Sequence, residues 1–257
     1  MTDTEDIRIL EQDRFHIDGD IVIVKAGTRN QNFPIHVCLL NRSEFFRHKL
    51  AVLAAGEILQ LAIFEGDKDA AVTFALYVHL IYYETLPYKV AGPSTVPSLK
   101  QVHLEQMAIM KLYIMAQKLG DGGAMDAAVS TLLATSQEPC SVGKRCNFTL
   151  PSTEVVQKAY AHTSTASPIR RLMVDMYLWW AAAEHIDERY PTQFVVSVAK
   201  AGLDSARGAR HTGYGSFAQA SCCDYHQHEP HVVCSSRKME EDLSSGEGTD
   251  EDYVGDG

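Results

Sequence analysis

Asp20-Ile21-Val22-Ile23-Val24-Lys25, followed after a short polar break by Asn32-Phe33-Pro34-Ile35-His36-Val37-Cys38-Leu39-Leu40-Asn41-Arg42-Ser43-Glu44-Phe45-Phe46, is the stretch that decides the fold of this 257-residue chain. Residues 20–25 are nearly all β-branched and apolar, the composition of a strand covered on both faces. Gly27, Asn30 and Asn32 are turn-forming residues ahead of a second short strand, so a hairpin is the economical reading. From His36 to Asn41 the pattern turns helical, and Cys38 within it reads as a small hydrophobe. Ser43 is placed to cap a further helix, its hydroxyl accepting a backbone N–H, while Phe45 and Phe46 open that helix's apolar face.

Outward from this stretch the pattern continues to alternate. Ile58 to Phe64 reads as a strand in which Gln60 is the one polar residue. Val72, Phe74, Val78 and Ile81 fall near three- or four-residue spacing, which predicts an amphipathic helix over Asp69 to Tyr83. Val90 to Gln101, with two prolines, a glycine and two serines, reads as a loop. Leu104, Ala108, Leu112, Met115 and Leu119 predict a helix that stops at Gly120, a residue suited to the left-handed conformation of a helix end. Asp121 is then placed to cap a helix over Ala124 to Ala134. A polar break at Thr135 to Asn147 precedes three more predicted helices, Ser152 to Ala161, Pro168 to Ala183 and Pro191 to Ala201. In the second of these, Ile169, Leu172, Met176 and Trp179 or Trp180 form a wide stripe read as core rather than as a cofactor pocket.

Composition narrows the function classes. Apolar residues make up 46% of the chain, enough for a buried core. Met1 to Asp20 is acidic and lacks the apolar run of a secretory signal, so the six cysteines are expected to be reduced thiols in the nucleus or cytoplasm. No window approaches the roughly 20 apolar residues of a membrane span. Of the net charge of −10, Glu240 to Gly257 holds eight acidic residues and no Lys or Arg, which leaves the body near neutral. No basic footprint for nucleic acid remains.

Several motifs together resemble the BTB/POZ family. Its members open with an Asp-led apolar strand, a turn, a strand ending in His, a helix with paired aliphatics and then Ser-x-(aromatic)-Phe, matched here by residues 20–46. Tyr82-Tyr83-Glu84-Thr85-Leu86 resembles the family's Y-x-(G/E)-x-L element. Met110-Lys111-Leu112-Tyr113-Ile114-Met115-Ala116-Gln117-Lys118-Leu119 resembles its L-Y-x-L-A-x-K-(L/Y) helix, especially in the short members encoded by filamentous fungi. The resemblance implies an α+β fold, a small sheet flanked by helices, with a flexible start at residues 1–14 and a BTB/POZ domain at 15–135. A helical extension at 136–201 and a Cys/His-rich, then acidic, largely disordered tail at 202–257 complete the expected organisation.

The function implied is protein–protein interaction without enzymatic activity: a homodimer that recruits another protein, in this family often as substrate adaptor of a cullin ubiquitin ligase. The alternative is a transcription- or chromatin-associated oligomerisation factor with a C-terminal zinc site. Neither a small-molecule substrate nor a membrane is expected as partner. Partner-binding residues under the resemblance are Asp20, His36, Ser43, Phe45, Phe46 and Glu57. Three positions depart from the family's pattern. Val37 stands where transcription factors of the family carry a basic residue opposite the strand aspartate. The arm before Asp20 is short. Ala55-Gly56-Glu57 puts alanine where cullin adaptors use a larger apolar anchor, so Glu57 also reads as a solvated residue before a strand.

Catalytic residues are not expected. Asp20 and His36 read as groups satisfying backbone atoms at strand ends, and Ser43 lacks a Gly-x-Ser-x-Gly setting. Gly120-Asp-Gly-Gly joins two helices without a following Lys-Ser/Thr, so it is not a phosphate loop. Cys223, His226, His228 and Cys234 are the one set with zinc-ligand chemistry, since two thiolates and two imidazoles suit a tetrahedral ion. Their spacing lacks the about 12 residues that separate the pairs of a Cys2His2 finger. A flexible tail that is simply rich in Cys and His is the other reading.

Overall fold

The computed structural model describes residues 19–54, 57–61, 68–87, 96–138, 148–206 and 222–227. The fold is α+β, a three-stranded sheet with eight α-helices among the described residues. It forms two compact units, one built from the chain up to Pro87 with Met115–Asp121, the other from Tyr88–Ile114 with the chain from Gly122 onward.

In the first unit, β1 (Ile21–Ala26) and β2 (Gln31–His36) form the predicted antiparallel hairpin, with Ile21 opposite His36 and Val24 opposite Phe33. Gly27 at φ 77° and Asn30 at φ 50° turn the chain through the left-handed region. A Cβ on Gly27 would also lie 2.7 Å from the Cβ of Ala71, so close approach and backbone conformation both demand glycine there. Two short helices, α1 (Val37–Leu40) and α2 (Glu44–Leu50), lead to β3 (Leu59–Gln60), which pairs parallel to β1 and gives the order β2-β1-β3. Only these two residues of the predicted Ile58–Phe64 strand are strand; the Leu61 N–H extends the pairing to the Lys25 carbonyl, and 62–64 lie outside the described residues.

Coverage of β1 differs from expectation. Val22, Val24 and Ala26 are buried, but Ile21 and Ile23 are 58% and 38% exposed. Strand alternation sends them to the opposite face, and α3 (Ala70–Tyr83) packs on β1 and β2 from the other side. A run of β-branched residues carries no period, so composition alone could not separate the faces. Cys38 is exposed as well, rather than part of the core.

Helix α3 buries Ala70, Thr73, Phe74, Tyr77, Leu80 and Ile81, a stripe with true helical spacing. Val72, which the sequence places on that face, is exposed because two residues of helix set it about 200° round the axis from both Ala70 and Phe74. Phe33 meets Phe74 edge to face at 5.0 Å, and Phe46, Phe74 and Tyr77 cluster behind it. The helix ends at Glu84 in the left-handed conformation, φ 55°, its N–H bonded to the Leu80 carbonyl. Gly120, at φ 63°, ends α4 (Leu99–Leu119) as expected.

Helix α4 begins inside the stretch read as a loop. Ser98 and Gln101 exchange bonds, Ser98 N–H to Gln101 Oε1 at 2.8 Å and Gln101 N–H to Ser98 Oγ at 3.3 Å, a reciprocal cap that starts the helix. Leu104 of the predicted stripe is exposed, and Val102, Gln106, Ile109 and Tyr113 take its face instead.

The second unit continues with α5 (Gly122–Gln137), α6 (Thr153–His162), α7 (Pro168–Trp180) and α8 (Thr192–Ala206). Helix α5 runs through Thr135 and Ser136, both buried, where a polar break is predicted; Gln106 Nε2 donates to Ser136 Oγ and to the Thr149 carbonyl, which pairs those two acceptors within the unit. Ile169, Leu172 and Met176 are core, as the stripe on α7 implies. Trp179 points outward, and Trp180 stacks on Phe148 at 4.2 Å. Arg170 is buried with no carboxylate paired to it among the described residues: it donates to the carbonyls of Tyr160 and Thr163 and to Thr163 Oγ1, and lies on the Tyr160 ring. Within the predicted disordered tail, residues 202–206 are helical and Cys222–Tyr225 form a 3-10 turn that packs on α5 and α7.

Candidate functional site

Ser43, Phe45 and Phe46 come together at the start of α2. The Ser43 hydroxyl accepts the Phe46 N–H at 3.3 Å, the predicted cap, and donates its own proton to the Leu119 carbonyl. Ser43 and Phe46 are fully buried, whereas Phe45 is half-buried with the Lys49 ammonium 5.8 Å from its ring centroid. Ser43 and Phe46 are thus shut away from the surface, and the Phe46 ring lies edge to face with that of Phe45 at 5.4 Å.

Behind Ser43 lies a polar knot that was not anticipated. The Tyr77 hydroxyl donates to Asp121 Oδ2 at 2.9 Å, and Arg42 Nε approaches the same oxygen at 3.1 Å. Burial, then the Asp121 carboxylate, pushes the Tyr77 pKa far above that of an ordinary phenol, so the hydroxyl remains a donor. Gly120 sits against Glu44, whose N–H donates to its carbonyl at 3.3 Å. Helix α2 is thereby fastened to α3 and to the turn after α4.

Asp20 and His36 lie at the same end of the hairpin, where the Val37 N–H donates to the Asp20 carbonyl at 2.9 Å and His36 stands opposite Ile21. Asp20 is exposed, so the buried aspartate of the family's transcription factors has no counterpart in its burial here. His36 is half-buried, and its ring does not serve a backbone group as predicted: Nδ1 lies 2.7 Å from the Tyr82 hydroxyl, which also accepts the His36 N–H at 3.1 Å. Tyr82 belongs to the Y-x-(G/E)-x-L element, the one signal that could have found this pair. Glu57 is exposed and closes a local turn, its Oε2 accepting the Ala54 N–H at 3.1 Å. Ala55 and Gly56 lie outside the described residues.

The outer face of the sheet carries Ile21, Ile23 and the exposed Pro34, which stands opposite Ile23. Val52, after α2, is also exposed. Ile58, Val72 and Tyr83 are further exposed apolar side chains of the first unit.

Of the zinc-ligand set, His228 and Cys234 lie outside the described residues. His226 Nε2 is 2.7 Å from Ser130 Oγ, which commits that nitrogen to α5, and Cys223 is half-buried. No group of three metal-ligating side chains occurs among the described residues, and none of their helices is long and apolar enough to cross a membrane. No protein-family model matches the chain, and no curated protein matches it.

Proposed function

We propose that the first unit is a BTB/POZ-type interaction module, without catalytic activity of its own, that pairs with a second copy and recruits a protein partner in the nucleus or cytoplasm. The observation that carries this reading is the outer face of the sheet, where Ile21 and Ile23 stand in solvent beside Pro34. Contiguous exposed aliphatics of this kind are a binding surface or a liability. The order of elements supports the family reading: a hairpin whose second strand ends at His36, a short helix with Leu39-Leu40, and a Ser43-capped helix carrying Phe45 and Phe46. Glu84 in the left-handed cap supports it further, since the Y-x-(G/E)-x-L pattern allows glycine there.

The partner class favoured by the resemblance is a cullin, met by Phe45 and Glu57. Light scattering tests the pairing: the full chain should be dimeric, and an Ile21→Glu/Ile23→Glu double variant monomeric. A monomeric wild-type chain overturns self-association. Affinity purification of the tagged chain from its own cells tests the partner, and recovery without any cullin overturns the adaptor role.

A further inference from the structure

Beyond α8, a six-residue segment is seated on the second unit in a way that packing alone does not require. Tyr225 is 5% exposed, its hydroxyl donates to Asp175 Oδ2 at 3.1 Å, and the Arg171 guanidinium stands 5.3 Å from its ring centroid. Arg171 also donates to the Asp224 carbonyl. On the α5 side, His226 Nε2 lies 2.7 Å from Ser130 Oγ, and the Gln227 N–H donates to Asp126 Oδ1 at 2.9 Å. Arg171 and Asp175 are four residues apart on α7, as are Asp126 and Ser130 on α5, so each pair occupies one helix face.

The seat therefore answers a phenol, an imidazole, a backbone carbonyl and a backbone amide with a receptor each. Burial, followed by the Asp175 carboxylate, raises the Tyr225 pKa, which keeps the hydroxyl protonated and donating. Among residues 223–227 only Tyr225 is buried; Cys223, Asp224 and His226 are half-buried and Gln227 is exposed. A segment held by one aromatic anchor and directional polar bonds has the form of a bound peptide rather than of a core element.

We propose that the faces of α5 and α7 form a recognition site for a tyrosine-centred peptide of the Asp-Tyr-His type, and that Cys222–Gln227 fills it in cis as a reversible latch. In the resting chain the site is closed by its own tail. Release of the latch exposes Arg171, Asp175, Asp126 and Ser130 to a peptide of the same chemistry.

The test uses the full chain with Tyr225→Ala and a fluorescent synthetic peptide of residues 220–229. The variant should bind the peptide saturably in anisotropy titrations, at least tenfold tighter than wild type, whose own segment competes. The same peptide with alanine at its tyrosine should not bind, and adding Arg171→Glu to the variant should abolish binding. Equal binding by wild type and variant, or none to a variant whose circular dichroism and melting match wild type, overturns the site. A variant that unfolds shows that Tyr225 belongs to the core and overturns the latch. Hydrogen exchange on wild type reads reversibility independently: the 222–227 amides should exchange by local opening, faster than the core of α7. Exchange at the α7 rate overturns the latch too.

Discussion

Tyr77 and Asp121, 44 residues apart in sequence, share a buried hydrogen bond of 2.9 Å that ties α3 to the turn between α4 and α5. Asp121 is almost wholly buried, and the Arg42 guanidinium is an ionic partner of its carboxylate. The bond thus helps to compensate a carboxylate that would otherwise be costly to hide from water.

Tyr77→Phe removes one donor from that carboxylate and should cost about 1–3 kcal/mol of stability, as for a buried acceptor losing a partner. Urea unfolding of wild type and variant at neutral pH measures it. A loss below about 0.5 kcal/mol would mean that the carboxylate's remaining partners, Arg42 among them, suffice.

Two left-handed positions should respond in opposite directions. Gly27→Ala forces a Cβ into Ala71 and a side chain into a φ of 77°, and should destabilise by about 2–4 kcal/mol. Glu84→Gly relieves a φ of 55° and should stabilise by about 1 kcal/mol. Shifts of the urea midpoint at constant slope check both.

Half-buried His103 supplies a pH dependence. Burial is the main cause that lowers its pKa, opposed by a hydrogen bond with the Leu150 backbone and by the Glu154 carboxylate. The unfolded chain, with an imidazole pKa of about 6.5, binds protons that the folded chain resists. This contribution to stability is complete above about pH 6.5 and is lost as pH falls towards the lower folded value. Melting temperatures at pH 7.5 and 5.5 should converge in His103→Gln relative to wild type. An unchanged gap would assign the acid sensitivity to other groups.

Arg170→Lys should destabilise by about 2–3 kcal/mol despite keeping the charge. The guanidinium serves two carbonyls and the Thr163 hydroxyl while lying on the Tyr160 ring, and a single ammonium cannot reproduce that planar array. Denaturant titration of Arg170→Lys and Arg170→Met separates geometry from charge, with the Lys variant falling well below wild type.

What the sequence made legible was local. The Gly27–Asn30 turn, the Ser43 cap and the Gly120 stop each depend on residues a few positions apart, and each was readable from residue type. The Ser98–Gln101 cap was equally local but hidden among prolines and glycines. Ile21 and Ile23 could not be placed, because a β-branched run looks alike on a covered and an open face. Tyr77 with Asp121, His36 with Tyr82, and Tyr225 with Asp175 join positions that only tertiary folding brings together. Which of the candidate residues are buried and which exposed was not legible, because that depends on the same tertiary packing.

The hairpin register has one more consequence. The Val37 N–H bonds the Asp20 carbonyl, so ladder bonds alternate along the pairs, and the amide positions of Asn32, Pro34 and His36 face away from β1. Pro34 has no hydrogen to offer there, and the His36 amide is already taken by Tyr82. Two of three donors on this rim are thus silenced, which blunts the border against an incoming strand and discourages sheet-to-sheet aggregation. On the flat of the sheet, by contrast, Ile21 and Ile23 stay open to solvent.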